Sequence, residues 1–188
     1  MRNNSFPDTL VKGSVYSFRD WPNRAVPKVA AGVYTIWRKK ELIYAGMSGR
    51  GLTRKAIRAY RKAGLKPPRG LYSRLSSHWA GRRSGDQFCV YVADRLVLHA
   101  LTKSQIKDIA AGRLSMDKFV RTYIHDHLHY RFAEAHDGRE AFRWEKSLCS
   151  GDWNGRRPLL NPHEPRKSRS RRRRLQATSR RLLDSSSS

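Results

Sequence analysis

The chain has 188 residues, with 40 Lys and Arg against 15 Asp and Glu, a formal charge of +25. That length holds one domain with a real core plus a tail, and so strong a field makes polyanions the first partners to consider, nucleic acid ahead of acidic membrane. No run of about 18 apolar residues occurs and Met1-Arg2-Asn3-Asn4-Ser5 carries no apolar stretch, so neither a membrane span nor a secretory leader is expected. Cys89 and Cys149 lie far apart in apolar segments. They read as small buried hydrophobes in a reduced compartment, which points to the cytoplasm and, with this charge, to the nucleoid.

Charge is not confined to one place. Residues 166–188 hold nine Arg or Lys and one acid, Asp184, while residues 1–165 still carry 31 basic against 14 acidic residues. The tail is low-complexity Arg/Ser sequence without apolar periodicity and is expected to be disordered. The body is basic in its own right.

In chain order, residues 1–31 form a lead-in with scattered prolines and a few packed residues (Val15, Tyr16, Phe18 and Trp21). Gly32-Val33-Tyr34-Thr35-Ile36-Trp37 and Leu42-Ile43-Tyr44-Ala45-Gly46 are rich in β-branched and aromatic residues and flank a charged connector, Arg38 to Glu41. They read as a β-hairpin, with Tyr34 sharing a face with Gly32 and Ile36, and Tyr44 with Leu42 and Gly46. Thr53 caps a short helix over 54–63, ended by Gly64. From Arg54 to Arg69 seven basic residues occur without an acid, so this segment is read as an arm for phosphates. Arg50, Arg54, Lys55, Arg58, Arg61, Lys62 and Arg69 are its candidate nucleic-acid contacts.

Helical spacing of Leu71, Leu75, His78 and Trp79 predicts a helix over 70–80, on which Arg74 and His78 project side by side at i and i+4. Asp86 to Val92 reads as a third, deeply buried strand. Thr102 or Ser104 begins a helix through Ala111, and Ser115 begins another to about Asp126. Leu128, Tyr130 and Phe132 alternate as a fourth strand. Gly138 opens a helix through Leu148 with Ala141, Trp144 and Leu148 inward, leaving Glu145 at the edge of that stripe. Arg156 to Pro162 is extended by its prolines and closes the core.

Taken in order, these motifs resemble those of the GIY-YIG nucleases. Gly32-Val33-Tyr34 matches the first family element and Tyr44-Ala45-Gly46 the second. Gly70-Leu71-Tyr72-Ser73-Arg74-Leu75-Ser76-Ser77-His78 matches the helical arginine pattern. Glu145 matches the helical glutamate, and Asn161, in Pro158-Leu159-Leu160-Asn161, the late asparagine. The likeness covers residues 32 to about 162. The restriction-enzyme branch is the most similar, because it too carries an insertion like the basic 47–69 segment and an Arg-x-x-x-His spacing.

The resemblance implies a mixed α+β domain over 32–165, with a small, mainly antiparallel sheet of three or four strands flanked by helices. It implies a metal-dependent DNA endonuclease, of restriction, mobile-element or repair type. Glu145 would hold Mg²⁺ or Mn²⁺, with waters and phosphate oxygens completing the shell. Arg74 would fork onto the scissile phosphate, and Tyr34 would be the general base. A free phenol titrates near 10, so its pKa would have to be lowered, with His78 and Tyr44 as helpers. Asn161 would orient Glu145 or a phosphate. Cutting both strands implies two active sites, hence a homodimer.

Two rivals remain. A basic nucleic-acid-binding protein without catalysis explains the charge alone, and phosphate-directed arginines serve RNA as well as DNA. His125, His127 and His129 would share a face on a strand and bind zinc, but not on a helix. With no cysteine nearby, a surface or DNA-facing role is expected for them.

Overall fold

The computed structural model describes residues 7–67, 69–152 and 155–161. The fold is mixed α+β around one four-stranded antiparallel sheet. It contains the expected hairpin, inner strand β2 (Ala31–Arg38) and edge strand β3 (Glu41–Ser48), in a register that sets Tyr34 opposite Gly46 and Ile36 opposite Tyr44. Lys39 turns the corner at φ +55°. The register slips between Ile36 and Trp37, so Ile43 has no partner and Leu42 pairs with Trp37. This bulge overturns one expectation: Leu42 leaves the face of Tyr44, and Ile43 packs with Tyr34 and Ile36 instead.

β4 (Leu128–Ala135), formed where alternation predicts it, pairs along the other side of β2. The last strand comes from the lead-in: β1 (Tyr16–Ser17) pairs with β4 and completes the order β1-β4-β2-β3. Phe18, Trp21, Val26 and Ala30 sink into the core beside it, whereas Val15, expected to pack, is 51% exposed.

Seven α-helices occur among the described residues. They are α1 (Thr9–Lys12), α2 (Arg54–Lys62), α3 (Leu71–Ala80), α4 (Gln87–Val92), α5 (Lys103–Ala110), α6 (Met116–His127) and α7 (Gly138–Ser150). The Thr53 hydroxyl accepts the Ala56 N–H at 3.1 Å, the expected cap of α2. α3 stops at Gly81, whose φ of +67° a side chain would resist. The expected strand over 86–92 is instead α4. An apolar run such as Phe88-Cys89-Val90-Tyr91-Val92 suits a buried strand or a buried helix equally, and here the Asp86 carboxylate decides by accepting the Phe88 N–H at 3.1 Å. The chain then continues through a π-helical turn (Ala93–Val97) and a 3₁₀ turn (Leu98–Ala100).

Helices cover both faces of the sheet. Tyr34, Ile36, Leu128 and Tyr130 pack against Leu75 of α3, Phe88 and Val92 of α4, and Val120 and Ile124 of α6. Val33, Ala45, Ala133 and Ala135 pack against Leu10 of α1 and Ala141 and Leu148 of α7. No helix among the described residues is long and apolar enough to cross a membrane. The tail expected over 166–188 lies outside the described residues.

β3 would be a free edge, but residues 159–161 run along it. Leu159 and Leu160 donate their N–H groups to the Leu42 and Ile43 carbonyls at 3.3 and 2.7 Å. The Asn161 amide then accepts from Ala45 N–H and donates to the Ala45 carbonyl, both at 2.8 Å. The carboxamide so replaces a strand backbone. Asn161→Ala leaves both Ala45 groups unpaired, and urea unfolding should show a loss of about 1–3 kcal/mol. An unchanged midpoint would contradict this closure.

Candidate active site

The two hairpin tyrosines lie on one face of the sheet, with ring centroids 6.4 Å apart. Gly46 makes this arrangement possible, because a Cβ there would collide with the Tyr34 hydroxyl. The glycine therefore admits the Tyr34 phenol. Tyr34 is only 1% exposed, and Tyr44 is half-buried between Tyr34, His78 and Phe88.

From Tyr34 a chain of short hydrogen bonds runs inward. Its hydroxyl lies 2.7 Å from His78 Nε2, and His78 Nδ1 lies 2.6 Å from Asp86 Oδ2. Burial holds the imidazole below its ordinary pKa, and it stays neutral. Burial also works against the Asp86 charge, but the His78 hydrogen bond, Arg74 and the Phe88 N–H prevail, keeping the carboxylate ionised below its usual range. One proton arrangement satisfies both: Nδ1–H donates to Asp86, and Nε2 accepts from the Tyr34 O–H. Sequence reasoning missed Asp86. Its available signal was a helix-capping aspartate eight positions after His78, hidden by the reading of 86–92 as a strand.

Tyr34 itself corrects an expectation. Burial, with Tyr44 beside it, raises its pKa well above that of a free phenol, and Arg74 offsets this only in part. Burial and then Glu145 push Tyr44 in the same direction. Both phenols are therefore protonated, and Tyr34 is a hydrogen-bond donor to His78.

A cleft of about 690 Å³ is lined by Met47, Arg50, Tyr60, Arg69, Arg74 and Glu145, among others, while the two phenols lie outside its lining. Arg74 stands one helical turn before His78, so α3 sends the imidazole into the core and the guanidinium to the cleft. Glu145 arrives by another route. Its helix, α7, packs on the opposite face of the sheet, but the side chain comes round the β3 edge, where Oε1 accepts the Met47 N–H at 3.1 Å. Burial raises its pKa, offset in part by the Met47 bond, Arg50 and Arg74. Arg74 and Glu145 both act electrostatically on Tyr34 and Tyr44. Asn161 stands apart from the role expected of it, since it bonds Ala45 and Cys149 and not Glu145.

Within the basic segment, Arg50 and Arg69 line the cleft, and Arg50 also lies over the Phe142 ring at 4.2 Å. Lys55, Arg58 and Lys62 are exposed on α2. Arg54 and Arg61 are tied back to Asp137 and Glu134. The three histidines do not share a face. His125 lies 3.0 Å from the Trp79 carbonyl through Nε2, His127 packs on Tyr123, and His129 sits in β4. His78, Asp86 and Cys89 are close enough to hold a metal ion. Both imidazole nitrogens are already bonded, however, and burial holds the Cys89 thiol protonated, so these residues suit a hydrogen-bonded chain better than an ion.

Because folding holds His78 below the value of about 6.5 in an unfolded chain, the unfolded state takes up more protons beneath that pH. This contribution is therefore expected to lower stability as pH falls through about 6.5. Nitrogen-15 spectra at that pH should show His78 as the neutral Nδ1–H tautomer, and an imidazolium there would contradict the chain described above. Comparison with protein-family models, curated proteins and solved structures returns no match to this sequence or fold.

Proposed function

We propose that the protein is a metal-dependent DNA endonuclease of the GIY-YIG type. The observation that carries this reading is convergence. Arg74 and Glu145, from helices on opposite faces of the sheet, line one cleft, and their charges act on two phenols, one of them bonded to a buried His–Asp pair. Phosphodiester hydrolysis needs a proton acceptor for water, positive charge for the phosphate and a place for a cation.

A divalent cation fits this donor set. Oε1 of Glu145 takes the Met47 N–H, leaving Oε2 to bind a hard ion, and the remaining positions suit waters and phosphate oxygens. Such an ion, Mg²⁺ or Mn²⁺, would supply charge to the phosphate and restore the ionised form of a carboxyl that burial otherwise disfavours. Arg74 has no ion pair among the described residues, so its fork is available to the scissile phosphate. Arg50 and Arg69 flank the same phosphate path.

The buried chain suggests how a protonated phenol serves as a base. As the attacking water gives a proton to the Tyr34 oxygen, Tyr34 passes its own to His78 Nε2, and the ionised Asp86 stabilises the imidazolium. The phenol need never become a free phenolate, which its burial would oppose. Tyr44, nearer the surface, shields this path from bulk water.

Incubating supercoiled plasmid with the protein and Mg²⁺ should give nicked and linear forms. Glu145→Gln and Tyr34→Phe should each lose cutting by about a hundredfold or more, on the scale of general-base removal, while keeping DNA affinity. The rate should fall on the acid side, because the mechanism needs an ionised Glu145 and a neutral His78. Firm binding with no nicking in Mg²⁺ or Mn²⁺ would instead support a non-catalytic nucleic-acid-binding protein.

A further inference from the structure

Beside the cleft, on the far side of Tyr60, is a second concavity of about 820 Å³. Its walls combine Tyr60 and Tyr72 with Leu65, which is 60% exposed, and its lining includes Arg24, Lys28 and Lys66. Among the described residues no acid lines it, and these three cations form no ion pair. Tyr72 is braced from behind by Trp21, with ring centroids 4.8 Å apart. Tyr60 lines both concavities, so the groove and the cleft adjoin through a single side chain.

We propose that this groove seats an unpaired stretch of the DNA strand whose phosphate lies in the adjoining cleft. The chemistry favours that occupant. Aromatic and apolar walls accept the faces of bases, which a duplex keeps stacked against one another, and flanking cations neutralise the phosphates between them. The volume falls within the range of about 300–1,000 Å³ typical of ligand sites. A protein partner would more often meet a mixture of charges at its rim, and none is offered here. The groove therefore selects substrates with a single-stranded extension, flap or gap next to the cut.

This assignment rests on the nuclease reading only for the position of the scissile phosphate, and binding tests it separately. With the full chain in EDTA at fixed salt, fluorescence anisotropy compares a blunt duplex, the same duplex with a single-stranded extension, and the free strand. The extended duplex should bind about tenfold more tightly than the blunt one, the gain expected from stacking roughly one base. Leu65→Ser and Lys66→Glu, both at the surface, should each abolish that preference, Leu65→Ser leaving blunt-duplex affinity within about twofold, with Tyr72→Leu as the aromatic counterpart checked by thermal melting.

Equal affinity of the native chain for blunt and extended duplexes would overturn the groove assignment, even if plasmid is cut. So would a preference that survives both surface variants. A preference that depends on the groove, in a chain that never nicks plasmid, upholds the groove and removes the nuclease reading alone.

Discussion

The hydrogen bond between the Tyr34 hydroxyl and His78 is the contact on which the site depends. It is buried, 2.7 Å long, and joins the central strand of the sheet to α3. Several features serve it at once. Gly46 vacates the space that the phenol fills, the αL turn at Gly81 ends α3 one turn beyond His78, and Asp86 caps α4 while taking the other imidazole nitrogen. Because α3 is held in this rotation, Arg74, one turn earlier, is aimed at the cleft. The polar chain inside and the guanidinium outside are two consequences of one helix orientation.

Glu145 depends on a different constraint. α7 packs on the opposite face through Ala141 and Leu148, and only the β3 edge lets its carboxylate reach the arginine side. Among the described residues, Leu159–Asn161 close that edge as far as Ala45, and the Glu145 carboxylate takes the N–H of Met47 beyond it. The division of the strand's outer hydrogen bonds between Asn161 and Glu145 thus sets both the stability of the edge and the place of the carboxylate.

Much of this was legible from residue pattern. The hairpin, the Thr53 cap, the helix carrying Arg74 and His78, and the fourth-strand alternation all follow local rules that the tertiary structure respects. The misses have physical causes. A β-bulge shifts a register without changing composition, so the face of Leu42 could not be read from alternation. An unbroken apolar run leaves helix and strand degenerate, which hid α4 and, with it, Asp86. The protonation of Tyr34 depends on burial and on its neighbours, which no single motif encodes. The lead-in's contribution of β1 to the sheet is a long-range pairing that its two residues, Tyr16 and Ser17, do not announce.

The proposed chemistry turns on where a divalent cation comes to rest. Titrating the protein with Mn²⁺ in the presence of an uncut DNA analogue, and recording paramagnetic broadening in NMR spectra, measures that position. Selective broadening of Met47, Arg74 and Tyr44, lost in Glu145→Gln, is the result predicted by a cation between the carboxylate and the phosphate. Broadening centred on His78, Asp86 and Cys89, or the same pattern in Glu145→Gln, would contradict it.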